Sequence, residues 1–180
     1  TATAADLKAL DAKTSVVVVA NDADITITGN AADVKTVLAA DGITTNANVA
    51  VTVTGTVSAA DANTITGAPG RVVTATVAAG TAASLNTALA NATTGNDALT
   101  LTVNGATATA IALNELNDKT SVDVKVDATE VTGDFADLNK VYVTNKANFA
   151  NLGTENVTID DTTVTAAQAN TIAKATSEAV

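Results

Sequence analysis

Cysteine, histidine, methionine and tryptophan are all missing from the 180 residues, and the aromatic side chains are limited to Phe135, Tyr142 and Phe149. Without thiols or imidazoles there is no cysteine nucleophile, no Ser-His-Asp triad and no thiolate or imidazole metal site. A sequence with no methionine is expected to be a processed form or a segment of a longer polypeptide, and a segment fits its repeats better. Positive charge is scarce too: 9 Lys and Arg stand against 19 Asp and Glu, a net charge of −10 with a pI near 4.1. Nucleic-acid phosphates and anionic membrane surfaces both call for Lys and Arg, so neither is an expected partner. No apolar run approaches the roughly 20 residues that span a bilayer, and no signal peptide opens the chain. The absence of cysteine suits an exported bacterial protein that has to avoid cross-linking in transit.

What the chain does have is a helix-entry phrase repeated seven times. The copies open at Thr3, Asn30, Ser58, Thr81, Thr109, Asp134 and Thr165, as in Thr3-Ala-Ala-Asp-Leu7 and Ser58-Ala-Ala-Asp-Ala62. Each opening side chain can accept from a free N–H of the first helical turn, which makes it an N-cap. Four copies carry Asp and one carries Gln three residues later, a capping-box-like pattern with negative charge at the positive end of the helix dipole. Successive caps lie 27, 28, 23, 28, 25 and 31 residues apart, which is the spacing of a repeat protein.

Apolar residues then fall four and seven positions after each cap, from Leu7 and Leu10 to Ala169 and Ile172, one stripe of a helix. Between the helices, period-two alternation marks strands: Ile25 and Ile27; Val49, Val51 and Val53; Val73, Ala75 and Val77; Leu99, Leu101 and Val103; Val122, Val124 and Val126; Val157 and Ile159. Val16 to Val19 read as a further strand buried on both faces. Helices this short need their stripe packed on the strands to be stable. The expected fold is α/β, a right-handed parallel solenoid like a leucine-rich repeat, with one short strand and one short helix per turn of about 27 residues. Residues 1–180 would form a single repeat domain of six to seven turns. Turns are assigned to Asp41–Asn46 and Asn91–Asn96, and Pro69 is expected to stop the third helix.

Longer copies support duplication. Thr3 to Val16 matches Thr109 to Val122 at an offset of 106, and Val51 to Ile65 matches Val157 to Ile172 after one inserted residue. These phrases, together with Val73 to Leu89, resemble the Ala/Thr/Asp-rich strand repeats of long exported bacterial proteins, notably cyanobacterial surface and haemolysin-like proteins. The resemblance covers nearly the whole chain and implies a passive extracellular or cell-surface role as surface layer (S-layer), sheath, filament or adhesin stalk, with copies of itself or neighbouring repeats as partners. The calcium binding of that group rests on a Gly-Gly-x-Gly-x-Asp nonapeptide, which this sequence lacks.

Chemistry-bearing residues are few. Asp22 and Asp24, and Asp160 and Asp161, are weak calcium candidates because hard oxygen ligands at turns can hold that ion, and Asp123 with Asp127 is a third acidic pair. No other cofactor is expected. Thr26 and Thr28, Thr52 and Thr54, Thr74 and Thr76, and Thr100 and Thr102 flank core residues and would stack into two exposed columns like those of an ice-binding face. None of Ser15, Ser58, Ser84, Ser121 or Ser177 has a basic neighbour arranged to activate it. Paired carboxylates could serve a glycosidase, but the aromatic platforms that hold sugars are missing. Asn91-Ala-Thr93 and Asn156-Val-Thr158 fit the glycosylation pattern. The expectation is therefore a structural, non-enzymatic repeat segment, with a ligand-binding module for calcium, ice or glycan as the alternative.

Overall fold

A computed structural model describes residues 1–22, 24–67, 70–92 and 96–180. Pro69, the centre of the Asn91–Asn96 turn and Thr93 of the first glycosylation pattern lie outside the described residues.

Seven α-helices start directly after the seven predicted caps: α1 (Ala4–Asp11), α2 (Ala31–Ala39), α3 (Ala59–Thr66), α4 (Ala82–Ala88), α5 (Ala110–Asn117), α6 (Phe135–Asn139) and α7 (Ala166–Ala173). In every one the cap oxygen accepts from the N–H three residues on, at 2.8 to 3.4 Å. Only α7 closes the full capping box, where Gln168 reaches back to the Thr165 N–H. Aspartate at the same position is a carbon shorter. In α1 and α2 its carboxylate instead accepts from the cap side chains of Thr3 and Asn30. α6 runs on into a π-helical segment, Lys140–Thr144, and a short 3-10 turn, Lys146–Asn148.

The strands are β1 (Ala2–Thr3), β2 (Val18–Ala20), β3 (Thr26–Gly29), β4 (Ile43–Thr45), β5 (Ala50–Val57), β6 (Val72–Val77), β7 (Ala98–Thr100), β8 (Thr102–Val103), β9 (Thr107–Thr109), β10 (Val124–Val126), β11 (Glu130–Gly133), β12 (Phe149–Ala150) and β13 (Asn156–Ile159). All pair in parallel, with partners 20 to 26 residues apart, such as Val57 with Val77 and Glu130 with Asn156. The expected solenoid of one strand and one helix per turn is nevertheless overturned. The strands divide among four separate sheets, β1-β3-β5-β6-β7, β12-β10-β8, β13-β11-β9 and β2-β4. One to three strands, not one, lie between successive helices.

The physical reason is that alternation fixes which side chains face inward but not whether the backbone ladder continues between them. Leu99, Leu101 and Val103 are all fully buried as expected, yet the ladder breaks at Leu101 into β7 and β8, which belong to different sheets. Val16 to Val19 also depart from expectation. Only Val18 is buried, while Val16, Val17 and Val19 are 73%, 49% and 66% exposed. A continuous apolar run does not by itself supply a second covering layer.

Each helix touches the next along the chain, and one connected core runs from Ala4 to Ile172. The cap-plus-four and cap-plus-seven stripe supplies much of it, including Val34, Val37, Ile65, Leu113, Leu116 and Leu138, all at most 1% exposed. Small residues set the spacing. A Cβ added at Gly29 would stand 3.0 Å from the Ala4 Cβ, and one at Gly133 would stand 2.9 Å from the Ala110 Cβ, so a strand end presses on the helix start one unit earlier in both halves of the duplication.

Candidate functional site

The calcium candidates are used locally. Asp22 accepts from the Asp24 N–H at 3.1 Å in an exposed turn after β2. Asp161 accepts from the Phe135 N–H at 2.6 Å, so its carboxylate sits against the first turn of α6, while Asp160 is exposed beside it. Asp127 is held below the usual carboxylate range by hydrogen bonds from Lys125 and Asn151. Among the described residues no group of three or more acidic, His or Cys side chains converges as a metal site would require. The serines are equally occupied: Ser58 caps α3, and Ser84, Ser121 and Ser177 donate to the carbonyls of Thr81, Asp97 and Gly153.

The threonine columns form with a shift. Thr52 and Thr74 stand opposite each other as expected, but the residue that precedes them is Thr28, not Thr26, which pairs with Ala50, and Thr3 stands before Thr28. The second column is Thr56, Thr76 and Thr100, because β5 slips register between Thr52 and Thr56 and Gly55 (φ 75°) takes up the extra length. Thr102 lies in another sheet, opposite Lys125. A further column, Thr109, Thr132 and Thr158, stands on the β13-β11-β9 sheet.

What the structure concentrates is polar chemistry at the seams between successive units, which sequence reasoning missed. The first seam device is a rung between helices, running from the residue five after one cap to the residue three after the next. Lys8 pairs with Asp33, and Lys35 with Asp61, which keeps both carboxylates below their usual range. Farther along, Asn86 donates to the Ala112 carbonyl at 2.8 Å and Asn114 to the Asp137 carbonyl at 3.2 Å. The signal was available: that position reads Lys8, Lys35, Asn63, Asn86, Asn114, Asn139 and Asn170.

The second device is a Thr-Ser clamp. Thr120 and Ser121 hold β7 and the residue before it: the Thr120 hydroxyl donates to the Leu99 carbonyl at 2.8 Å and accepts from the Leu99 N–H at 3.0 Å. The Ser121 N–H donates to the Asp97 carbonyl at 2.8 Å. Thr176 and Ser177 repeat this on the next example, with the Thr176 hydroxyl donating to the Glu155 carbonyl at 3.1 Å and the Ser177 N–H to Gly153 at 2.9 Å.

Each clamped segment also carries a buried acid. Asp97 accepts from the Val73 N–H at 2.8 Å. Burial pushes its carboxyl above the usual range, against the opposing pull of that N–H and of Arg71. Glu155 accepts from the Gly153 and Thr154 N–H groups and from the Tyr142 hydroxyl, whose own titration is driven up by burial and by that carboxylate. These acids satisfy backbone donors that would otherwise be buried without partners. Among the described residues, neither acid lines the surface depressions. Two depressions, of about 410 Å³ beside Lys35 and Arg71 and about 460 Å³ beside Glu115 and Lys119, are open surface grooves.

No protein-family model matches the chain, and no curated protein or solved structure shows significant similarity to it. Among the described residues no helix is long and apolar enough to cross a membrane.

Proposed function

We propose that the chain is a structural repeat segment of a bacterial cell-surface assembly, such as a surface layer, sheath, filament or adhesin stalk, and that it is not an enzyme. The observation that carries this reading is the placement of its polar chemistry. Buried Asp97, the Lys-Asp rungs and the Thr-Ser clamps bind one unit to the next, where they stiffen the stack, and among the described residues these groups are not gathered at a shared cleft. Residues that join units give mechanical continuity. Catalysis instead needs groups converging on one substrate position. The resemblance to exported Ala/Thr/Asp-rich repeats supplies the extracellular location.

Immunogold electron microscopy of the source cells tests the location, and labelling confined to the cell interior would sink it. Reproducible turnover of a polysaccharide, peptide or phosphoester that is lost on a single Asp or Glu change would sink the non-enzymatic reading. A second reading, an ice-binding module, is favoured by the threonine columns alone. Growth-arrested ice crystals in dilute protein, abolished by Thr52→Lys, would establish it in place of the first. For calcium, melting with and without the ion decides, since a ligand of the folded state has to raise the midpoint.

A further inference from the structure

The turn that carries the chain from β8 to β9 holds Asn104, the one asparagine in the sequence that glycine follows. Asn104, Gly105 and Ala106 are all exposed. Gly105 sits at φ 108°, a conformation that side chains rarely allow, and a Cβ added there would meet only the Thr81 methyl, at 3.4 Å. Among the described residues neither the Gly105 N–H nor the Asn104 side-chain amide has a hydrogen-bond partner. An unblocked main-chain nitrogen is thus tethered beside an unblocked amide carbon. The other acid or amide followed by glycine is Asp41. There Gly42 is half-buried with the Asp11 carboxylate packed against it, and a carboxylate resists nucleophilic attack far more than an amide does.

We propose that Asn104-Gly105 is a site of enzyme-free covalent modification, where the Asn104 amide becomes a carboxylate and part of the material is rerouted through isoaspartate. Hydroxide or water takes the Gly105 N–H proton, and the nitrogen attacks Asn104 Cγ to close a five-membered imide ring. The Cγ–Nδ2 bond breaks, and its nitrogen leaves as ammonia with a proton from water. The tether makes this attack intramolecular, and glycine leaves the nitrogen uncrowded. One water then opens the ring. Addition at Cγ breaks the new N–Cγ bond and gives ordinary Asp; addition at the main-chain carbonyl breaks the original peptide bond, and the backbone then runs through Cβ and Cγ. Overall one water is consumed and one ammonia released, with no oxidant, metal or cofactor. This chemistry does not depend on the scaffold reading.

The turn is also a corner between sheets, since β8 lies in the β12-β10-β8 sheet and β9 in the β13-β11-β9 sheet. It is pinned on both sides. The Asn104 N–H donates to the Gly80 carbonyl at 2.9 Å, and the Ala106 carbonyl accepts from the Glu130 N–H at 3.0 Å and from the Thr129 hydroxyl at 2.8 Å. The isoaspartyl form puts an extra main-chain carbon between these anchors, so the bonds at Ala106 loosen. Either product adds a negative charge to a chain already at −10.

Incubation of the intact chain in mildly alkaline buffer made with heavy-oxygen water, followed by peptide mass mapping, tests the site. Heavy oxygen should enter at Asn104 before any other asparagine, faster as the pH is raised, with isoaspartyl peptides among the products. Asn104→Gln would have to close a larger ring and should lose the label there. Labelling spread evenly over the asparagines overturns the proposal. So does label that enters Asn104 in urea but not in the native chain, because the fold would then be holding the turn out of reach. In converted chains, hydrogen exchange at the Glu130 N–H should quicken, while freshly prepared Asn104→Asp, which has the charge but an ordinary backbone, should exchange as the parent does. Unchanged exchange after conversion, or equally fast exchange in Asn104→Asp, overturns the loosening of the corner by the rerouted backbone.

Discussion

At the scale of single residues, the chain places charge in its interior only where backbone donors require it. Asp97 is 2% exposed and serves the Val73 N–H of the preceding unit. Replacing it with Ala leaves that N–H buried and unpaired, and the expected loss is about 1–3 kcal/mol in urea unfolding. Asp97→Asn keeps an acceptor oxygen and gives up only the ionisation, so it should cost much less at neutral pH. The two variants also differ from the parent in their pH response. Because the folded state holds this proton more tightly than the unfolded chain, Asp97 takes stability away as pH rises from its ordinary value of 3.8 towards its raised one. Both substitutions should flatten that part of the profile. An unchanged slope would show that the carboxyl titrates normally in the folded protein.

At the scale of elements, close approach of strand end to helix start is the constraint that fixes composition. Gly133 has no positive φ, so its glycine is needed for space and not for backbone freedom. Gly133→Ala should therefore cost about 1–3 kcal/mol by overpacking against Ala110, and Ala110→Gly should recover part of it in a double-mutant cycle. Additive losses would mean that the two sites do not touch.

Helix starts were fully legible in the sequence because a cap is a local device: one side chain and the N–H three residues on decide it. The core stripe was legible for the same reason, although Ala88 and Ala169 are only half-buried and Leu10 is exposed, because full burial depends on what packs over the helix and not on the helix itself. Sheet membership was not legible. Whether β7 and β8 share a ladder depends on hydrogen bonds to units about 23 residues away, which period-two alternation does not encode. The seams were partly legible, since the Lys and Asn position recurs openly, and the Thr-Ser pair at 14, 120 and 176 does so as well. The columns of exposed threonines were visible, but their register was not: Thr28 faces Thr52 and Thr76 faces Thr100, each two residues off the expected partner, and the slip at Gly55 adds a further shift, none of which marks the hydrophobic pattern.

At the scale of the whole molecule, the balance of charge sets how stability should vary with pH. The chain carries −10 at neutral pH, and mutual repulsion disfavours the compact state, so lowering the pH towards the pI near 4.1 relieves a global strain. Asp97 acts in the same direction, since its protonated form is the one that burial favours. Three other carboxylates oppose them: Asp33, Asp61 and Asp127 are held below 3.8 by Lys8, Lys35 and Lys125. Their contribution is present above the unfolded value and is lost as pH falls through the lowered ones. They are solvent-exposed pairs, so each contributes little by itself and the loss below pH 3.8 should be gradual. The urea midpoint is accordingly expected to rise as the pH is brought down from 7, to pass through a maximum at about pH 4 to 5, and to fall at lower pH. Added salt should shrink the rise by screening surface repulsion, while the part owed to buried Asp97 persists. A midpoint that falls steadily from pH 7 downward would mean that the paired surface carboxylates outweigh both global repulsion and the buried acid, and the ordering of these three effects would have to be reversed.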